Sequence, residues 1–135
     1  MITDGIVSKL SADTGVIAVV STRVYLDVLP RGYILPALVV HQYGGSQGYQ
    51  FSGPTGVTDD LVQIDVYGKT TAERGLAVAA VTAALVAFVG TLPDNTVVQL
   101  CKLERKMDMP FLPGADATGV AYRATLGFCI TSKRV

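Results

Sequence analysis

The side chains that could do acid–base, nucleophilic or metal chemistry are few in this sequence of 135 residues. It has one histidine, His41, and two cysteines, Cys101 and Cys129. A zinc site needs several His, Cys or carboxylate ligands within reach of one another, and this set is too small and too scattered. A Cys–His nucleophile pair is compatible with the sequence. However, Cys129 lies in an alternating strand pattern, and not at a helix N-terminus that would lower the pKa of its thiol. We therefore expect His41 to be structural.

The two cysteines fall in separate strand-like segments near the end of the chain. A disulfide between them is geometrically possible, and the sequence alone does not decide it. Small buried cysteines are common, so we expect two reduced thiols that pack as apolar side chains.

Two short motifs could bind a phosphate or a cation. The glycine-rich run at residues 44–48 lacks the Gly-Lys-Ser/Thr ending of a phosphate loop, and no helix pattern follows it. Asp59 and Asp60 are adjacent carboxylates that could meet a cation, although a solvated turn explains them as well. We therefore expect neither catalysis nor a cofactor.

The last third of the chain is basic. Its six cations, set against Glu104, Asp108 and Asp116, are Lys102, Arg105, Lys106, Arg123, Lys133 and Arg134. Such a cluster could face a phosphate backbone, which makes the first four candidate DNA-facing or lumen-facing residues. A solvated sheet face is the alternative. The whole chain has zero net charge, from 11 basic and 11 acidic residues, whereas dedicated nucleic-acid binders are usually basic overall.

Apolar side chains in two loop-like segments predict contact with other proteins. The segment 44–56 has five glycines, and the second segment spans residues 106–119. Half of all residues are apolar and only 16% are charged, which is apolar for a small lone domain and suggests covering subunits. Aromatic and Met side chains are enriched at interface cores. Our candidate protein-interface residues are Tyr49, Phe51, Met107, Met109, Phe111 and Leu112. Alternatively, the second segment folds back and caps the core.

The elements that position these residues form one α+β domain over residues 1–135. We expect a short N-terminal helix with a break or cap at 11–13, and strands near 24–26, 37–43, 62–67, 97–105 and 120–131. A long helix begins at the capping box Thr70–Glu73 and is stopped by Gly90 and Pro93. The last two strands can pair as an antiparallel hairpin. The prediction is a mostly antiparallel sheet with one long helix packed on it. Segments 44–56 and 106–119 would be mobile connections in a free subunit, ordered only in an assembly.

One segment has the minimum length of a membrane span. Residues 75–92 carry no charge over 18 residues, but six of these are Ala, and no Lys/Arg asymmetry flanks them. A helix that is apolar nearly all round is also expected inside an assembly, and we favour that interpretation. The first five residues have no positive n-region, so we expect no signal peptide and production in the cytoplasm.

The order of several short motifs resembles the phage tail-completion proteins, the group around the head-to-tail joining protein of long-tailed phages. The resemblance covers about residues 6 to 90. Its motifs are Leu10-x-Ala12-Asp13-x-x-Val16, Arg23-Val24-Tyr25, Pro30, Leu35-Pro36-Ala37-Leu38-Val39, Gly53-Pro54-x-Gly56, Gln63-Ile64-Asp65-Val66-Tyr67-Gly68-Lys69-Thr70 and Glu73. Beyond residue 90 only the pattern of a strand, a loop and a last strand with Tyr122-Arg123 agrees.

The resemblance implies a structural virion protein without catalytic residues. It implies a ring, usually of six subunits, that sits on the end of the tail tube, stops tube growth and meets the head connector. Tail tube protein, connector and further copies of the chain would be the partners, with possible non-specific contact to passing DNA. The motif residues would then determine the fold: Pro36 and Gly53-Pro54 set turns, Tyr25 and Tyr67 pack sheet edges, and Glu73 caps the helix.

Two alternatives remain open from the sequence. The same α+β plan suits a small ligand-binding or enzyme domain with a pocket between helix and sheet. A different phage ring, such as a head-closure or minor tail protein, would carry the same features.

Overall fold

The computed structural model describes residues 2–28, 34, 36–86, 88–113 and 120–134. Within these residues it has three helices and six strands: α1 Ile2–Ala12, α2 Thr14–Val20, β1 Val24–Leu26, β2 Ala37–Gln50, β3 Gly53–Gly68, α3 Thr71–Leu85, β4 Gly90–Thr91, β5 Thr96–Pro113 and β6 Val120–Arg134. The α+β class expected from the sequence is confirmed.

All six strands belong to one sheet in the order β1-β2-β3-β6-β5-β4. The edge strand β1 pairs with β2 in parallel, and the other four pairings are antiparallel. The sheet is therefore mixed, and the expectation of a mostly antiparallel sheet missed the parallel pair at its edge. The long β5–β6 hairpin predicted from the last two strands is present.

The three helices pack on one face of the sheet and enclose the core. Strand alternation supplies that face: Val62, Ile64 and Val66 of β3 are fully buried, as are Leu126 and Phe128 of β6. The helices bring the other half of the cluster, which includes Ile6, Leu10, Val16, Val20, Val78, Val81 and Leu85. The alternation expected for β6 is confirmed, since Ala124, Leu126, Phe128 and Ile130 are all buried.

Both helix starts indicated by the sequence are present. Asp13 separates α1 from α2, and its Oδ1 accepts hydrogen bonds from the amides of Gly15 and Val16 at 3.0 and 3.1 Å. Thr70 caps α3, and its Oγ1 accepts a bond of 3.1 Å from the amide of Glu73. The Oε1 atom of Glu73 is buried without a hydrogen-bond partner among the described residues, so this oxygen does not complete the expected capping box.

The main helix ends earlier than its sequence predicts. It stops at Leu85, and Val86 has extended backbone angles of −63° and 128°, whereas Gly90 and Pro93 were expected to stop it. The reason is tertiary, because the chain must leave the helix in time for Gly90 and Thr91 to pair with β5. None of the helices among the described residues has the length and apolar content that a bilayer crossing requires.

The two segments expected to be connections are paired strands in the structure. Residues 44–50 continue β2 and residues 53–56 begin β3, and Gln50 pairs with Gly53 across the two-residue turn Phe51–Ser52. Gly53 and Gly56 adopt positive φ values of 125° and 80°, which is what glycine contributes to this turn. In the same way β5 continues through residues 106–113, whereas residues 114–119 lie outside the described part. The expectation that residues 44–56 and 106–113 form loop connections is therefore wrong, because their backbone is paired in strands.

Gly68 joins β3 to α3 where the strand and the helix start are too close for a side chain. A methyl group at this position would lie 2.7 Å from the amide nitrogen of Arg74. Gly75, by contrast, lies within α3, where a methyl group would extend into open space.

We expect Gly68→Ala to lower the free energy of unfolding by about 1–3 kcal/mol, because the helix start must shift to admit the methyl group. The matched control Gly75→Ala should raise stability by about 0.5–1 kcal/mol, because alanine is the better helix former. Urea denaturation followed by circular dichroism measures both. Equal effects of the two substitutions would contradict the close approach at Gly68.

Candidate assembly interface

The sheet face opposite the helices carries a polar cluster centred on Asp65. Its Oδ1 accepts hydrogen bonds from Gln63 Nε2 at 2.9 Å and from Thr125 Oγ1 at 3.0 Å. Its Oδ2 lies 3.1 Å from Nη2 of Arg123. Asp65 is only 5% exposed, so these partners compensate a carboxylate that has lost most of its water.

Arg123 is held in this cluster on a second side. Its guanidinium lies 5.8 Å from the ring centroid of Tyr67 on β3, where cation–π attraction is significant. Tyr67 thus packs on an interior strand, whereas the resemblance implied that it packs a sheet edge. Tyr25 does lie in the edge strand β1.

A second contact on the helix-free face joins β2 to β5 across a glycine. Tyr43 is the extra residue at a β-bulge in β2, and Arg105 lies over its ring at 5.7 Å. Between them is Gly127 of β6, where an added methyl group would lie 3.4 Å from both Tyr43 Oη and Arg105 Cβ. The glycine leaves the space in which the two side chains approach each other.

The four candidate DNA-facing cations do not form one cluster. Strand register places Lys102, Arg105 and Arg123 on the helix-free face, but Arg123 is paired with Asp65. Lys102 Nζ lies 3.6 Å from Glu104, an exposed pair that contributes little to stability. Lys106 lies on the helix side, where it lines a groove beside α3. Of the four candidates, Lys102 and Arg105 therefore remain on the helix-free face, where they could meet a polyanion.

The cysteines are free thiols on opposite faces of the sheet. Cys101 pairs with Ile130 and is buried in the core, whereas Cys129 pairs with Lys102 and faces away from the helices. Burial raises the pKa of the Cys101 thiol to about 12. Burial also raises the pKa of the Cys129 thiol, and the nearby carboxylates of Glu104 and Asp59 raise it further. Neither thiol is therefore an activated nucleophile.

The remaining candidates for chemistry do not converge. His41 lies opposite Gln63, whereas Cys129 lies level with Leu61. Asp59 accepts a hydrogen bond from Thr131, but Asp60 accepts one from Gln42 on the other face of β3. Partial burial raises the pKa of Asp60. Within the described ranges no group of three or more His, Cys, Asp or Glu residues could hold a metal ion.

Two of the six candidate interface residues have described side chains, and both are exposed. Phe51 at the β2–β3 turn is 115% exposed relative to its reference state, and Met107 of β5 is 48% exposed. The side chains of Tyr49, Met109, Phe111 and Leu112 lie outside the described part, although the backbone of all four belongs to β2 or β5.

A groove separates α3 from the far half of β5. We call it the α3–β5 groove; its volume is about 490 Å³, and it is lined by Thr71, Arg74, Gly75, Val78, Ala79, Thr82, Ala83, Lys106 and Asp108. Its helix wall consists mainly of small residues, as the alanine-rich pattern of this helix indicates. Sequence reasoning missed both this groove and the Asp65 cluster. The available signal for the cluster was the pair of polar positions Gln63 and Asp65 on one side of an alternating strand.

The groove, the exposed turn and the exposed apolar side chains are surfaces suited to contact with other proteins. A family model, that of the tail completion protein gp17, matches residues 4–109. A search of curated proteins finds no match. Among solved structures, a chain from the virion of a native gene transfer agent particle has the same fold, with a TM-score of 0.70 and 21% sequence identity; the match covers 97% of this chain and 93% of that chain.

The chain belongs to the tail completion protein gp17 family, because the family model spans most of its length. It is therefore a structural protein of a phage tail. The resemblance predicted from the order of short motifs is confirmed.

We expect Arg123→Met to lower the free energy of unfolding by about 2–4 kcal/mol, because it leaves the Asp65 carboxylate buried without its counter-ion. This range is below that of a fully buried pair, since the Arg123 side chain is 25% exposed and partly screened. The double variant with Asp65→Asn should regain part of the loss in urea denaturation. A double variant as unstable as the sum of its single variants would contradict the coupling.

We expect Cys101 to resist iodoacetamide at pH 8 in the folded protein, since a thiol with a pKa near 12 is about one part in ten thousand ionised at that pH. Cys129 should react first and slowly, and both should react in urea without reductant. Intact-mass spectrometry counts the added groups. A protein that takes up none in urea until it is reduced would contain a disulfide, contrary to the opposite-facing geometry.

Proposed function

We propose that this chain forms a six-subunit ring at the head-proximal end of a phage tail tube, where it ends tube growth and joins the tail to the head connector. The observation that carries the proposal is the match of the tail-completion family model to residues 4–109. The role is one of binding and not of catalysis. The ring would assemble in the host cytoplasm and remain in the virion.

The exposed surface of the subunit supports an assembly role. The subunit exposes a groove on its helix side, an aromatic turn and several apolar side chains. Exposing this much apolar surface to water is unfavourable in a lone domain. These side chains include Leu76, Val86, Leu100 and Met107. Neighbouring subunits, the tail tube and the connector would cover them.

The proposal also includes weak contact between the ring and the DNA that passes through it. Lys102 and Arg105 are exposed on the helix-free face, and the neighbouring Arg123 is neutralised by Asp65. A nearly neutral face with a few cations would hold DNA weakly, because affinity for the phosphate backbone grows with the number of neutralised phosphates. Weak binding suits a channel through which DNA must move.

Particles assembled without this chain test the proposal directly. We expect tail tubes of uncontrolled length that are not joined to heads, and restoration of both defects when the chain is supplied. Purified chain mixed with tail tubes should also bind their ends as a ring-sized species in electron micrographs. Tails of normal length on full heads in the absence of the chain would refute the assignment.

The expected interface of the β5 segment can be tested separately. We expect Met109→Ser combined with Phe111→Ser to preserve folding and to block tail completion or head joining, because both side chains are proposed to contact a partner. Ile17→Ser, which changes an exposed apolar residue of α2, is the matched control and should leave tails intact. A loss of more than about 2 kcal/mol of stability in the free double variant would instead place these side chains in the core.

A further inference from the structure

The turn between β2 and β3 presents a single large apolar side chain at the end of a projecting hairpin. Pairing of β3 with β6 ends at Val57, opposite Lys133, but β2 and β3 continue to pair as far as Gln50 and Gly53. Phe51 occupies the two-residue turn beyond that last pair and is fully exposed. An aromatic ring held on a short turn in this way has little conformational freedom to lose when it binds.

The α3–β5 groove lies toward the opposite end of the sheet. Its residue Lys106 pairs with Leu126 of β6, and Leu126 pairs with Ile64 of β3. Gly53 and Ile64 are 11 positions apart along β3, and at roughly 3.3 Å per residue Phe51 is therefore about 35 Å from the groove of its own chain. Turn and groove can meet only between different copies.

The groove has the shape and lining for an aromatic side chain. Gly75, Ala79 and Ala83 keep the helix wall low, and Val78 adds apolar surface to it. The rest of the lining is polar or charged: Thr71, Arg74, Thr82, Lys106 and Asp108. Small residues allow close approach of another chain, and a ring inserted between helix and strand would be covered on two sides.

Charge favours the same pairing. The charges of β2 and β3 nearest the turn are Asp59 and Asp60, and the two strands, residues 37–68, contain no Lys or Arg. The groove rim carries Arg74 and Lys106 against Asp108. An acidic hairpin that approaches a rim with a net positive charge is steered toward it.

We propose that the Phe51 turn of one copy inserts into the α3–β5 groove of the next copy. The two surfaces differ, so the contact is heterologous: each copy donates one turn and accepts one, and repetition closes a ring or continues as a filament. Closure into a ring rests on the proposed function, whereas the contact itself does not.

Disulfide trapping between two populations of the chain tests the contact. Both carry Cys129→Ala, and Cys101 is left in place because it is buried. One population carries Phe51→Cys and the other Ala79→Cys; they are mixed under reducing conditions, assembled on tail tubes and then oxidised. We expect cross-linked dimers in the mixture and in neither population alone. A control mixture replaces Ala79→Cys by Val89→Cys, an exposed position outside the groove, and should give none.

The outcomes separate this inference from the ring. Ring-sized species that give no Phe51–Ala79 cross-link, or that cross-link equally to Val89, would overturn the groove contact and leave the ring. If the unmodified chain forms no ring-sized species on tubes, the ring proposal fails, and the contact stands only if the Phe51–Ala79 cross-link still forms.

Substitutions that introduce no cysteine provide an independent readout of the contact. We expect Phe51→Ser and the groove-filling Ala79→Phe to weaken assembly on the order of tenfold to a hundredfold, as burial of one aromatic side chain implies. Phe51→Tyr and Val89→Phe should assemble as the unmodified chain does. Normal assembly of both Phe51→Ser and Ala79→Phe, in folded protein, would overturn the contact.

Discussion

The alternation of apolar and polar residues along β3 and β6 is the constraint on which the rest of the structure depends. One set of positions, including Val66 and Leu126, closes the core under the helices. The intervening set brings Asp65 beside Thr125 and within 3.1 Å of Arg123. A register slip of one residue would expose the first set and bury the charged set. The hydrophobic core and the Asp65 cluster therefore specify the same register from the two faces of the sheet.

Two glycines connect the β3–β6 pair to the rest of the fold. Gly68 lets β3 turn directly into α3, so that the helix begins against the strand that it covers. Gly127 leaves a gap on the helix-free face, and Tyr43 from β2 and Arg105 from β5 approach each other over it. Side chains from strands that are not adjacent are thus linked across the sheet. This arrangement supports the central strands without a second layer of helices in the described residues.

Local chemistry explains which features could be predicted from the sequence. The caps at Asp13 and Thr70, the burial pattern of β6 and the β5–β6 hairpin all depend on neighbours within a few residues or on simple alternation. Strand extension through 44–56 could not be predicted in this way. Glycine lowers local strand preference, but the backbone of β3 supplies pairing partners that the local pattern does not reveal. The end of α3 and the parallel β1–β2 pair depend likewise on the tertiary fold.

The candidate site shows the same division between local and distant information. Sequence composition indicated that Phe51 and Met107 were too apolar for solvent, and both are exposed. It could not indicate that Lys106 and Arg123 fall on different faces, because the β-bulges in β5 shift the alternation between Leu103 and Arg105. Nor could it indicate the α3–β5 groove, which two distant segments form together.

An apolar turn lies at one end of the sheet and an open groove lies toward the other. The two binding surfaces of a single subunit therefore differ and point in opposite directions. Subunits that join through unlike surfaces always retain one unused surface of each kind until the chain of contacts closes. An open assembly would therefore continue to add copies, whereas a closed one has no remaining turn or groove. For a protein whose proposed role is to end a polymer, closure would limit its own assembly. In a closed ring the neighbouring copy would cover Phe51, which would then not lead to unlimited aggregation.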